Sequence, residues 1–213
     1  MLGDIITIKD EFFQTSKSIV QQLSKRNFWN NKFVIAIAGE SGSGKSVTAT
    51  CLQQELLFEN KKALVLHLDD YFKLPPKTNH EAREKDISRV GVQEIRLGLV
   101  QLHINEFLEN KSEILKPIVH YKENKILAEQ VDIEKYDCII VEGTYSFFLE
   151  NLNFKIFLDS TFQESKKRRD ARGREKSSLF IESVLKIEQA IIRSRRIQSN
   201  LIFDHNYNLI LTQ

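Results

Sequence analysis

The sequence predicts an α/β domain with a mainly parallel sheet flanked by helices. Three observations carry that expectation. Short apolar runs alternate with helix-period segments, the pattern of strand–helix–strand units. The first long run, Phe33–Ala38, breaks into a glycine-rich turn that leads straight into a helix. Later runs end in an acidic residue, at the strand end where ligands gather in such sheets.

The elements follow in chain order. A short strand is expected over Asp4–Ile8, then an amphipathic helix over Asp10–Lys25 with Phe12, Phe13, Ile19, Val20 and Leu23 as its apolar stripe. Phe33–Ala38 is continuously apolar and suits a strand buried on both faces. A helix runs from Lys45 to about Glu59, and Ala63–Leu68 is a second core strand ending in Asp69-Asp70. Residues 71–90, with Pro75-Pro76, read as irregular. Val92–Leu108 reads as a helix, and Ile114–Tyr121 as an extended segment around Pro117. Tyr136–Val141 and Phe154–Leu158 are core strands ending in Glu142-Gly143 and Asp159. Helices are expected over about 161–172 and 178–196, and Leu201–Phe203 with Leu209–Leu211 as a final strand or hairpin. The sum is one domain over residues 1–213, a five-stranded sheet preceded by the strand and helix of residues 1–30 and carrying a small segment at 161–176.

Composition narrows the function. With 213 residues and 41% hydrophobic content the chain can bury an ordinary core. A net charge of +2 does not point to nucleic acid. No stretch is apolar enough to span a membrane and no signal-peptide pattern opens the chain. Cys51 and Cys138 both fall in core elements and are expected as free buried thiols, which suits a reducing cytoplasm. The five histidines lack zinc-ligand spacing.

The turn after the first core strand reads Gly39-Glu40-Ser41-Gly42-Ser43-Gly44-Lys45-Ser46, the Walker A form G-x-x-x-x-G-K-[ST] between a strand and a helix. Backbone N–H groups and the helix N-terminus face an anion in such a loop. Lys45 adds charge near the outer phosphates, and the Ser46 hydroxyl is placed to ligate Mg²⁺. The motif therefore points to a nucleoside triphosphate. An N-K-x-D guanine signature is absent from the sequence.

Phosphoryl transfer to a hydroxyl also needs a carboxylate at the acceptor and support for the metal. Asp69 leaves a strand beside the loop and is the candidate for the first, against the alternative of a turn cap. Glu142, at the end of "CIIV", is the candidate for Mg²⁺, against a solvated strand end. The run "KKRRDARGREK" over Lys166–Lys176 reads either as a basic patch or as a mobile lid that brings arginines over the triphosphate. Asn79, His80 and Arg83 are acceptor-binding candidates, or an ordinary solvated loop.

Taken together, "GESGSGKS", "LDDYFK" (Leu68–Lys73), "KPIVHY" (Lys116–Tyr121), "VEG" (Val141–Gly143) and "RRDARGR" (Arg168–Arg174) resemble the uridine kinase/phosphoribulokinase-like P-loop kinases over about Phe33–Leu211. The resemblance implies the P-loop NTPase fold with an arginine-rich lid. It implies ATP and Mg²⁺ as cofactors and a small-molecule phosphate acceptor, with no nucleic-acid or membrane partner; family members are monomers or multimers, so a homo-oligomer stays open. The reaction it implies is phosphorylation of a nucleoside hydroxyl, uridine or cytidine first, giving the 5′-monophosphate. Alternatives are nicotinamide riboside, pantothenate or a sugar phosphate as acceptor, or a regulatory ATPase. By position, Asp69 matches the catalytic aspartate, Lys45 the phosphate lysine, and Ser46 and Glu142 the magnesium-side residues, with Asp69 beside them. Arg169, Arg172 and Arg174 match lid arginines. Tyr71, Asp86, His120 and Tyr121 fall at acceptor-site positions. Two departures stand out. Uridine kinases carry P-x-Y-D-[FY] where this chain has Pro117-Ile118-Val119-His120-Tyr121, and one residue rather than about three separates Arg169-Asp170 from Arg172-Gly173-Arg174.

Overall fold

All seven residues of strand β1 (Phe33–Gly39) are buried. Such a strand needs a neighbour on each edge and a packed layer on each face. The computed structural model of the chain, which describes residues 8–172 and 178–212, provides both. The other elements are α1 (Asp10–Leu23), α2 (Lys45–Phe58), β2 (Ala63–His67), α3 (Pro76–Lys85), α4 (Leu97–Leu108), β3 (Glu113–His120), β4 (Lys125–Asp132), β5 (Cys138–Glu142), β6 (Phe154–Asp159), α5 (Lys166–Arg172), α6 (Leu179–Arg193), β7 (Leu201–Asp204) and β8 (Leu209–Thr212).

The main sheet has the order β2-β5-β1-β6-β7-β8. Its first five strands are parallel, and β8 pairs antiparallel with β7 at the edge. The expected five-stranded sheet is thus present, with the tail hairpin adding a sixth strand. The pleat divides β1 between two cores. Phe33, Ile35 and Ile37 pack with α1 and α2, while Val34, Ala36 and Ala38 pack with α4 and the segment after β5. This is why the strand reads as a continuous apolar run rather than an alternating one. Cys51 and Cys138 are buried and free. Among the described residues no helix is long and apolar enough to cross a membrane.

Several expectations need correction. Residues 71–90 are not irregular throughout, since they contain α3, which starts with Pro76 in its first turn. Proline is well placed there because its missing N–H has no intrahelical acceptor anyway. The helix has no apolar stripe to announce it, and Asn79 is its buried residue. The helix expected from Val92 begins at Leu97; Val92–Glu94 form a 3₁₀ turn, and Ile95 pairs with Phe72. The segment around Pro117 is half of a two-stranded antiparallel sheet with β4, which the sequence reading missed. The strand expected over 4–8 falls almost wholly outside the described residues.

Candidate active site

The parallel register brings the acidic strand ends together. Ile37 of β1 and His67 of β2 are both in register with Glu142 of β5. The phosphate loop and α2 leave β1 at the same edge.

The loop is held from outside. Ser165 Oγ donates to the Ser41 carbonyl at 3.0 Å, Arg168 Nε to the Gly42 carbonyl at 3.1 Å, and Tyr207 Oη to the Ser43 carbonyl at 2.9 Å. Gly42 and Gly44 have φ of +79° and +97°, where a side chain would be strained. Space forbids one as well: a Cβ on Gly42 would lie 2.6 Å from Arg169 Cγ, and one on Gly44 would meet Tyr207 and Phe12. Gly44 is the N-cap of α2, so the first amides of that helix lack intrahelical acceptors. Ser43 Oγ is buried without a hydrogen-bond partner among the described residues. A helix N-terminus whose first amides lack intrahelical acceptors and an orphaned hydroxyl fit a phosphate group.

Lys45 Nζ donates to the Glu40 carbonyl at 3.0 Å. The Glu40 side chain is not aimed at a ligand. Its carboxylate is buried and accepts from the Phe162 amide at 2.6 Å and from Gln189 Nε2 at 2.8 Å, with Arg193 Nε 3.6 Å away. Glu40 therefore ties the loop to the start of the arginine-rich segment and to α6; its expected place among the nucleotide-contacting groups is limited to its backbone.

Glu142 is 3% exposed. Its Oε1 accepts from Ser46 Oγ at 3.0 Å and lies 2.7 Å from His67 Nδ1. Burial alone would raise the Glu142 pKa, but the His67 hydrogen bond and charge, with Lys45 and Ser46, outweigh it and lower it. Burial likewise opposes charge on His67, yet the hydrogen bond and charge of Glu142 leave its pKa raised. A serine hydroxyl and a carboxylate are the hard oxygen donors Mg²⁺ takes, usually one or two per protein site with phosphates and water completing the shell. The described residues contain no group of three or more His, Cys, Asp or Glu placed to hold a metal.

Asp69 and Asp70 diverge. Asp70 is 2% exposed and accepts the Val119 amide at 2.9 Å, so it anchors β3. Asp69 lines a cavity of about 860 Å³. Ser41 and Arg169 line the same cavity, as do Tyr121, Asn79, Arg83, Tyr145 and Glu188.

Other expected site residues are placed elsewhere. Tyr71 is 1% exposed and its hydroxyl pairs with His103 Nδ1 at 2.9 Å inside the core. Asp86 is solvent-exposed and caps a short turn, accepting from the Ser88 amide and hydroxyl at 3.0 and 2.6 Å. His120 pairs locally with Glu123. Neither Tyr71, Asp86 nor His120 is part of the cavity wall. Asp159 is engaged by Arg196 at 2.7 Å. The Arg172 side chain, Gly173 and Arg174 lie outside the described residues, whose first span ends within the expected lid at residue 172.

Asn79 and Arg83, named above as acceptor-binding candidates, line the cavity within a polar network whose carboxylates, Glu94 and Glu188, the sequence reading missed. Arg83 Nε and Nη2 donate to the two oxygens of Glu94 at 2.7 and 2.9 Å, and Nη2 also reaches Glu188 Oε1 at 3.2 Å. Asn79 Nδ2 and the Gly91 amide complete the shell of Glu94. One signal was available: Glu188 sits on the buried stripe of α6 with Ile181, Val184, Leu185 and Ile192. A carboxylate on an apolar stripe requires a buried partner.

The sequence model of the phosphoribulokinase / uridine kinase family matches residues 34–191. The bifunctional alpha-galactosidase/sucrose kinase AgaSK of Mediterraneibacter gnavus is 32% identical over 186 residues, 81% of this chain; the chain spans 20% of that larger protein. A uridine kinase of Salmonella newport is 30% identical over 171 residues, 78% of this chain and 79% of its own length. Among solved structures, a possible uridine kinase from Bacillus stearothermophilus superposes with a TM-score of 0.60 at 18% identity, covering 92% of this chain and 98% of its own.

Proposed function

The chain belongs to the phosphoribulokinase / uridine kinase family, and from that premise we propose that it transfers the terminal phosphoryl group of ATP to a hydroxyl of a sugar or other polyol. The observation that carries this reading is the shared cavity. Its wall includes Ser41 and Arg169, beside the phosphate loop, together with Asp69, Arg83, Tyr145 and Glu188. A donor phosphate on the loop and an acceptor hydroxyl at Asp69 would thus occupy one space.

The residues divide the work. The loop amides and Lys45 bind and orient the phosphates. Ser46 and Glu142 would hold Mg²⁺, which when bound would neutralise phosphate charge. Asp69 takes the proton of the acceptor hydroxyl as it attacks. Arg169 stabilises negative charge on the transferring group.

A sugar acceptor is favoured over a pyrimidine nucleoside for two reasons. Val119 is fully buried and His120 turns to Glu123, so the segment at the base-contacting positions of uridine kinases contributes Tyr121 to the wall and neither of these two. A relative named as a bifunctional alpha-galactosidase/sucrose kinase is also 32% identical to this chain. Uridine stands as the second reading, because the Salmonella uridine kinase aligns along most of both chains.

The test is ADP release from ATP and Mg²⁺ against sucrose, fructose, glucose, uridine and cytidine. A sugar should stimulate release well above the acceptor-free rate. Asp69→Asn should leave ATP binding nearly unchanged and cut turnover by about a hundredfold or more. Turnover within a few-fold of the parent would remove Asp69 as the base. Stimulation by uridine alone would return the acceptor to the pyrimidine reading.

A further inference from the structure

Helix α3 cannot cap its own first turn. Its N-cap residue is Pro75, which offers no side-chain acceptor, and its first residue is Pro76, which has no N–H. The Asn79 amide bonds to the Pro75 carbonyl at 2.8 Å. The Lys77 amide comes too early in the helix for an intrahelical acceptor, and it is met from outside. It donates to Asn124 Oδ1 at 2.8 Å, forty-seven residues further along the chain. Asn124 Nδ2 donates to Thr78 Oγ1 at 3.0 Å. One side-chain amide thus closes two bonds onto the first turn of α3, a role that a cap residue normally plays from within the helix.

The clip joins two walls of one cavity. Asn124 belongs to the turn at residues 121–124 that links β3 to β4. Tyr121, Lys122 and Asn124 line the cavity from that turn, and Asn79 and Arg83 line it from α3. Asn79 and Arg83 fix the middle and later turns of α3 to Glu94. The Asn124 clip fixes the first turn. Asn124 does so with φ +51°, a left-handed conformation that asparagine adopts more readily than most residues.

We propose that Asn124 is a positioning residue for the phosphate acceptor: by capping α3 across space it sets the gap between the 121–124 turn and the face of α3 that carries Asn79 and Arg83. The proposal rests on the reading above that the acceptor occupies this cavity. Asn124 acts through α3 and not on the reacting atoms. The phosphate loop, Lys45 and Asp69 stand on other elements, so the clip governs acceptor affinity and leaves the nucleotide and the chemical step alone.

Two variants test it. Asn124→Gly deletes the clip and keeps the turn, since glycine takes the left-handed conformation without strain. Asn124→Asp keeps an acceptor for the Lys77 amide, and the Thr78 hydroxyl can turn to donate to it. Both are compared with the parent on sucrose, fructose, glucose, uridine and cytidine. Acceptor affinity is read by calorimetry with Mg²⁺ and a non-hydrolysable ATP analogue, turnover separately by ADP release, and the clip itself by hydrogen exchange at the Lys77 amide. Asn124→Gly should speed that exchange and weaken the bound acceptor about fivefold, raising its KM alike, while kcat and the KM for ATP stay within about twofold. Asn124→Asp should restore acceptor affinity to within about twofold of the parent. Faster exchange with unchanged acceptor affinity would make Asn124 a helix cap only and overturn the positioning role. A loss shared by kcat, the KM for ATP and the melting temperature would overturn it too, as would failure of Asn124→Asp to rescue or the absence of any binder. Acceptor binding that weakens in Asn124→Gly and returns in Asn124→Asp, with no ADP release from the parent, would support the clip and overturn the kinase reading. ADP release driven by an acceptor whose affinity ignores both variants would support the kinase reading and overturn the clip's role.

Discussion

His103 sits in the core with its Nδ1 2.9 Å from Tyr71 Oη. Burial first, then the charge of Lys116, pushes its pKa down from the ordinary 6.5 to about 4. The unfolded chain takes up this proton as pH falls through about 6.5, while the folded chain resists it until about 4. Between those values the unfolded state binds more protons, so stability rises with pH and is lost on acidification. The expected loss from pH 7 to pH 5 is about 2 kcal/mol from this one group. Urea denaturation at the two pH values measures it. His103→Gln keeps a partner for Tyr71 Oη and should flatten that slope; an unchanged slope would assign the acid sensitivity to other groups. The same pair explains why Tyr71, an acceptor-site expectation, belongs to the core: its hydroxyl had a buried partner thirty-two residues away that no local pattern announces.

Elements in this fold are joined by side chains more than by their own propensities. Glu40 follows β1, and its carboxylate holds the Phe162 amide beyond β6 and Gln189 of α6. Glu40→Ala should destabilise the fold by about 2–4 kcal/mol, since it strands buried donors that lose a charged acceptor. Chemical denaturation tests this, and a loss under about 1 kcal/mol would mean the three elements dock without it. What the sequence made legible follows the same physics. The core strands and α2 were readable because burial on both faces, or a glycine loop before a helix, leaves a local imprint in residue type. Glu142, Lys45 and Ser46 were readable because their strand or loop fixes their position. The two missed elements lack that imprint. Helix α3 is polar on nearly every side, and β4 is exposed along most of its length, its pairing with β3 supplied by the turn at Asn124, φ +51°. The Arg83–Glu94–Glu188 network joins three separate segments, so spacing along the chain could not place it.

At the scale of the whole molecule, the C-terminal hairpin reaches back to the start of the catalytic machinery. Tyr207 lies between β7 and β8 with φ +65°, a left-handed conformation that costs a bulky residue about 1–3 kcal/mol. Such strain persists where the surroundings over-determine it. Here the ring packs on Phe12 of α1 at 4.5 Å, Arg168 lies over it at 5.7 Å, and Oη donates to the Ser43 carbonyl at 2.9 Å. The N-terminal helix, the arginine-rich segment and the C-terminal hairpin thus meet at one ring behind the phosphate loop. That loop is short and rich in glycine, so its cradle shape depends on what presses on it from outside. Tyr207→Phe keeps the ring and deletes the hydroxyl's bond to the Ser43 carbonyl, worth about 1 kcal/mol. If the hairpin orders the loop, the affinity for Mg²⁺-ATP should fall about fivefold by calorimetry, while the acceptor KM stays within about twofold because the acceptor end is built from other elements. An unchanged nucleotide affinity would mean the loop holds its shape without the hairpin. A loss shared equally by nucleotide and acceptor would instead make Tyr207 a support of the whole cavity.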